Sequence, residues 1–480
     1  MPPRLFSLAA AVLASVLVAS VATPAAAASP VYRASPCVGE FGPDLKRVSC
    51  GVLSVDEARG TSSRRRVAIP VVVIKASAPR AGQPPVFYLH GGPGGDAVEY
   101  AGAMLRSPIG RDMIAVDQDW VFFDQRGSGL AAPLLECGQI PMNDAGPLSP
   151  AAAEGLKACA ARHVAAGVDL SRYNEREVAL DIQDLRKALG YGRIDLVGGS
   201  YGTSIALAAL RHAPQGIRAV VLDSPWPPEA AWAEGGPVLV SGAIRVILAK
   251  CAADPACARR YPTLEADVDA LARRFLAGPQ KGKARSYAAD DLGGFLMDAA
   301  YSGEGARRLP HDLAAMAKGD FSALEAHRAD RSPYFEGQHL THLCKEEMPF
   351  EDRAKVAEVG GDPVAQLLVP SMSRYFEVCA AWPVGLPHPS DGVAMSSDVP
   401  TLFLAAEIDP GCPPELARAA VARFSRGQLF IAPNATHGVT WGSPCARRMV
   451  RAFLRDPTAK VDGGCLEGET PRFEFDYGEG

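Results

Sequence analysis

"LVGGSYGTSIALAAL", residues 196–210, sets a serine among glycines at the point where an apolar run gives way to a helical pattern. "RIDLV" (193–197) reads as a strand, and "TSIALAALRH" (203–212) as a helix. A chain that turns sharply from strand to helix crowds its Cβ atoms against both elements. Gly198 and Gly202 remove those clashes and leave Ser200 at the apex, with its hydroxyl exposed and the next backbone amide free. The pattern is a G-x-S-x-G elbow, here "GGSYG", in a strand-turn-helix setting. The five residues alone are a weak signal, since they arise by chance in many chains; the setting makes them specific. The competing reading of Ser200 is a plain N-cap on a buried helix.

A serine hydroxyl needs a base to become a nucleophile, and the base needs an acid to orient it. With an elbow of this kind the chain order is serine, acid, histidine. Of nine histidines only His437 lies beyond the last strand-like runs, in "APNATHGV" after "QLFIAP" (428–433). The acid belongs at the end of the preceding strand, where "LFLAAEIDPGCPP" supplies Asp409, with Glu407 as its rival. A developing oxyanion needs two backbone N–H donors. One is Tyr201, next after the serine; the other falls in "HGGPGG" (90–95), on Gly92 or its neighbour Gly91. A phosphate cradle is excluded there, because no GxxxxGK[ST] follows.

Strand-like runs at 67–74, 85–90, 119–124, 193–198 and 217–223 alternate with helical patterns. In "NEREVALDIQDLRKALG" Val178, Ile182, Leu185 and Leu189 share one helical face, with Asn174 as N-cap and Gly190 as stop. This rhythm predicts a mostly parallel α/β sheet. It breaks after "LDSPWPP", and residues 227–396 are helical with few strand-like runs. The grammar resumes at 400–409 and 428–433. The expected organisation is a leader over 1–28, a first core part over 29–226, a helical cap insertion over 227–396 and a second core part over 397–480.

Arg4, an apolar stretch from Leu5 to Ala22 and "TPAAAAS" read as a cleaved secretory signal, and no later segment reads as long enough to span a bilayer. A net charge of −5 with both signs interspersed points away from nucleic acid and from a polybasic membrane patch. Eleven cysteines in an exported chain imply disulfides. Closeness in sequence pairs Cys37–Cys50, Cys137–Cys159, Cys251–Cys257, Cys344–Cys379 and Cys445–Cys465, leaving Cys412 over. No CxxC pair is present, so a structural zinc site is not expected.

Taken together, "HGGPGG", "DQRGSG" (124–129), "GGSYGT", "AAEIDPGCPP" and "NATHG" resemble the secreted α/β-hydrolase serine peptidases of the proline iminopeptidase and tripeptidyl aminopeptidase type. The resemblance covers 36–226 and 398–455. It implies an α/β-hydrolase fold with a mostly parallel central sheet and a large helical cap, and cleavage of peptides from a free N-terminus. The family's serine, acid and histidine fall on Ser200, Asp409 and His437. Two departures stand out: Ala406 replaces a usual glycine, and Cys412 a usual threonine. The family also holds the substrate α-ammonium with cap carboxylates, which implies Glu346 and Glu347 in "HLCKEEMPF", with Glu346 slightly favoured. Arg126 is expected to brace the core loops, while Trp382 either lines the pocket or packs the cap. The resulting expectation is a secreted aminopeptidase releasing one to three residues through an acyl-enzyme, without metal or organic cofactor. The alternative is a carboxylesterase or other acyl hydrolase with the same triad.

Overall fold

The computed structural model describes residues 29–114, 117–138, 148–283, 285–327, 335–469 and 472–478. The leader expected over residues 1–28 lies outside them. The strands are β1 (Val31–Ser35), β2 (Val48–Asp56), β3 (Arg66–Ile74), β4 (Val86–Leu89), β5 (Trp120–Phe123), β6 (Ile194–Gly199), β7 (Ile217–Asp223), a two-residue hairpin β8 (Gln280–Lys281) and β9 (Ser286–Tyr287), β10 (Thr401–Ala406) and β11 (Gly427–Ala432). All but the hairpin join one sheet, in the order β1-β2-β3-β5-β4-β6-β7-β10-β11. From β5 to β11 neighbouring strands run parallel, and β1, β2 and β3 add an antiparallel flank. This is an α/β-hydrolase fold.

Burial on both faces explains the apolar runs that mark the parallel strands. In β4, Phe87 and Leu89 point into one core cluster, while Val86 and Tyr88 point into the other. The helices Glu175–Ala188 and Tyr201–His212 cover the first face; Ala97–Arg106 and Pro444–Arg455 cover the second. The helix over 175–188 has the predicted N-cap, Asn174 accepting from the Glu177 amide. Strands β1 and β2 were not anticipated. β1 is a mostly exposed edge without an apolar face, and in β2 Gly51 leaves room that the Tyr32 ring fills.

Between β7 and β10 the chain is mainly helical. Helices Trp232–Ala253, Leu264–Ala277, Ala289–Tyr301 and Gly303–Ala317 enclose a core of their own, including Ile244, Ile247, Leu271, Phe275, Phe295 and Leu309. The later segment packs differently: Leu340, Leu343, Met372, Tyr375 and Trp382 belong to the cluster on the sheet's first face. The insertion therefore leaves the core and returns to it. Trp382 packs there and does not line the pocket around Ser200 described below. One expectation needs correction: helix Trp232–Ala253, with 22 residues, is long and apolar enough to cross a membrane by length and composition. Half of that stretch is buried within the protein, as expected of a helix that serves the cap's core.

The cysteines pair as sequence closeness suggested, in five disulfides, with Cys412 free and buried. Arg126 is fully buried and braces loops: it donates twice to Asp181 at 2.8 Å and to the carbonyls of Glu57 and Arg172. A buried guanidinium is tolerable only with such complete pairing.

Candidate active site

Ser200 stands between β6 and the helix Tyr201–His212 with φ 54° and ψ −127°, a conformation that serine rarely adopts. Two contacts hold it there. Its amide donates to the Asp223 carbonyl at 2.8 Å, and its carbonyl accepts from the Thr203 amide at 2.8 Å. Thr203 Oγ1 in turn accepts from the Trp226 amide at 2.8 Å, tying the elbow to the start of the cap insertion.

Asp409 lies just beyond β10 and is 2% exposed. Its Oδ1 accepts the amides of Gly411 and Cys412, at 3.0 and 2.8 Å. His437 Nδ1 lies 2.9 Å from Oδ1 and 2.8 Å from Oδ2. A carboxylate can only accept, so Nδ1 carries the proton and Nε2 is left as the basic nitrogen. Burial opposes charge on both partners, but each stabilises the other's charged form. Asp409 is consequently held below the usual carboxylate value and His437 above the usual imidazole value. The Tyr301 ring stands edge-on to the imidazole, with centroids 4.8 Å apart.

Glu407, the rival acid, is engaged elsewhere. Its carboxylate pairs with Lys250 Nζ at 2.9 Å and accepts the Asn434 amide at 2.7 Å, so it braces the histidine loop from outside. Two residues that sequence reasoning missed hold the same loop from within. The Asp223 carboxylate accepts the amides of Val439 and Thr440, and Ser224 Oγ accepts the Gly438 amide at 2.9 Å. Asp223 thus touches Ser200 through its carbonyl and the histidine loop through its side chain. Its only signal in the sequence is an acid closing strand 217–223.

Gly91 abuts the elbow so closely that a methyl there would sit 3.0 Å from Ser200 Cβ. Gly92, with φ 122°, lines the same pocket as Ser200 and Tyr201. The volume of this pocket is about 460 Å³, and its apolar walls are Trp226, Trp232, Tyr301 and Leu343. None of the four was singled out from the sequence; three come from positions before, within and after the first cap helix and meet only in the fold.

Glu347 and Glu346 part company. Glu347 lines this pocket, with Oε1 bonded to Trp226 Nε1 at 3.0 Å and to His342 Nε2 at 2.9 Å; its Oε2 is buried and has no hydrogen-bond partner among the described residues. Glu346 faces away, accepting the Glu175 amide at 3.1 Å and lining two neighbouring cavities that exclude Ser200. The slight preference for Glu346 is therefore reversed: the geometry puts Glu347, not Glu346, beside the elbow. Ligand atoms of Asp409, Cys412 and His437, and of Glu175, His342 and Glu346, lie within 4.8 Å of one another.

Residues 365–465 match the family model described as TAP-like protein. The chain is a serine hydrolase with the α/β-hydrolase fold. It is 27% identical over 418 residues to the serine protease Hip1 of Mycobacterium tuberculosis, an alignment covering 78% of this chain and 79% of that one. A shorter alignment, 194 residues at 27% identity, relates it to the tripeptidyl aminopeptidase of Streptomyces lividans and spans 37% and 35% of the two chains. Among solved structures, the proline iminopeptidase of Mycobacterium smegmatis overlaps 85% of this chain and 98% of its own, at 14% identity and a TM-score of 0.42. The TAP-like match covers the acid and histidine loops but not the elbow.

Proposed function

We propose that this hydrolase is an exported serine aminopeptidase that removes residues from the free N-terminus of peptides. Ser200 attacks the scissile carbonyl, His437 Nε2 takes the hydroxyl proton and later returns it to the leaving amine, and Asp409 holds the imidazole in that tautomer. The amides of Tyr201 and Gly92 receive the oxyanion. The acyl-enzyme is then released by water activated by the same histidine.

One observation carries the choice of an N-terminal substrate: the pocket that holds Ser200 also holds an unpartnered carboxylate oxygen, Glu347 Oε2. A buried acceptor without a donor is costly, and a substrate α-ammonium would satisfy it. The apolar walls suit an N-terminal residue with an apolar side chain. The peptidase names of the relatives agree with peptide substrates, and the disulfides together with the leader in the sequence support export. A matched pair of peptides, one with a free amine and one N-acetylated, tests the reading in wild type and in Glu347→Gln. Loss of a charge-assisted contact is expected to lower kcat/KM on the free-amine peptide by about 10- to 150-fold, with the acetylated peptide little changed. Ser200→Ala should abolish turnover and fluorophosphonate labelling in a folded protein. Turnover of short-chain esters with no preference between the two peptides would favour the esterase alternative.

A further inference from the structure

The helix Glu336–His342 runs directly into one π turn, Leu343–Glu347. In an α-helix, residues four and five positions on are separated by about 100° around the axis. A π turn is wider and swings the fifth residue back over the first. Here it brings two successive glutamates onto one imidazole. His342 Nδ1 bonds Glu346 Oε2 at 2.8 Å, and Nε2 bonds Glu347 Oε1 at 2.9 Å. Both ring nitrogens face acceptors, so both are donors and the ring is an imidazolium.

Other elements face the same ring. Glu175, at the start of the helix over 175–188, brings Oε1 to 3.7 Å from Nδ1. Tyr201, beside the elbow serine, packs its ring with centroids 4.5 Å apart. His339, one turn earlier, has a pKa lowered to about 3 by burial and then by the His342 charge, so it is neutral. Lys345 turns outward to the carbonyls of Val384 and Leu386, and Asp391 lines one cavity with Glu175, His342 and Glu346. Burial opposes charge on His342, yet the surrounding carboxyls hold its pKa well above the ordinary value. Burial, and then Glu346, push the pKa of Glu175 upward.

We propose that His342 is a positioning residue: it pins one oxygen of Glu347, so that the other oxygen is turned to meet the substrate's α-ammonium. This rests on the N-terminal reading above and adds how its anchor is set. Glu346 is then the back support of the anchor. His342→Gln keeps a hydrogen-bond donor and removes the positive charge, so the cluster takes up a proton in compensation.

The test measures the ratio of kcat/KM for the free-amine and N-acetylated peptides between about pH 5 and 7, a window in which most of the peptide amine stays charged. In wild type the ratio should show no step near pH 6.5, because His342 remains protonated throughout. In His342→Gln it should be lower by about tenfold or more at pH 6 and rise with pH. A wild-type ratio with an imidazole-like step overturns the proposal even if the variant does not fold. So does a His342→Gln enzyme with wild-type ratio and profile, provided Glu347→Gln has lost the preference. If Glu347→Gln itself keeps the preference, it is the N-terminal reading that fails.

Discussion

An alanine at position 202 would place its methyl carbon 1.9 Å from the Leu89 carbonyl oxygen and 2.6 Å from the carbonyl carbon. An ordinary contact between carbons is about 3.5 Å, so the first turn of the helix would have to retreat from β4 by more than an ångström. No rotamer offers relief, because both clashing atoms are backbone and β4 is held between β5 and β6. Overpacking of this kind costs about 1–3 kcal/mol, and two rigid partners put Gly202→Ala at the upper end. The adjacent site is the control. A methyl at Gly199 meets nothing nearer than the Tyr88 hydroxyl at 3.5 Å, so Gly199→Ala should stay within about 0.5 kcal/mol of wild type. Thermal unfolding should separate them: a fall of about 3 °C for Gly202→Ala, and about 0.5 °C or less for Gly199→Ala. Activity should follow, because Leu89 leads into His90 and the glycine loop; an ångström of misplacement there can cost about 100-fold. The readout is the rate of fluorophosphonate labelling. Equal melting temperatures for the two alanine variants, with wild-type labelling in both, would refute the steric account of the elbow.

Two further outcomes follow from the site and the cysteines. The base must be neutral to act and the His437 pKa lies above 6.5, so kcat/KM should rise with pH along an acid limb centred above 6.5; Asp409→Asn should move the limb of any residual activity to lower pH. In stability the lowered Asp409 contributes above pH 3.8 and loses its effect as pH falls through its folded value, while the raised His437 contributes below 6.5 and loses its effect above its own; the pair therefore stabilises most between pH 3.8 and 6.5, which melting temperatures across pH for wild type and Asp409→Asn will check. Thiol titration should find one reactive cysteine, Cys412, in the unfolded non-reduced protein and almost none in the native protein, where that residue is 4% exposed; a larger count contradicts the disulfide set.

The core was legible because its constraints are local. Burial on both faces writes β4 and β10 as unbroken apolar runs, and the elbow's glycines answer to backbone atoms a few positions away or in the next strand. Asp409 and His437 were reachable for the same reason, since each follows a strand whose end is visible in the sequence. Asp223 was not. It closes a strand like any polar residue, and its carboxylate acquires a role only when the histidine loop, more than two hundred positions later, arrives above it.

The recognition half of the site was harder still, and the two glutamates show why. On the assumption of a regular helix or turn, adjacent side chains diverge, so one acid should face the pocket and the other should meet solvent or an arginine. A π turn carries no sequence signature, and it changes the outcome: neither acid is solvated, and the two are joined through His342. The walls, Trp226, Trp232 and Tyr301, are equally silent in the sequence, because ordinary aromatic residues become a pocket only where the cap insertion leaves the sheet and folds back over it. The proposed chemistry sits on strand ends that local rules define, while the proposed choice of substrate sits on the joint between two bodies. A change at Trp232 or in the π turn can therefore redirect specificity while leaving Ser200, Asp409 and His437 where the core holds them.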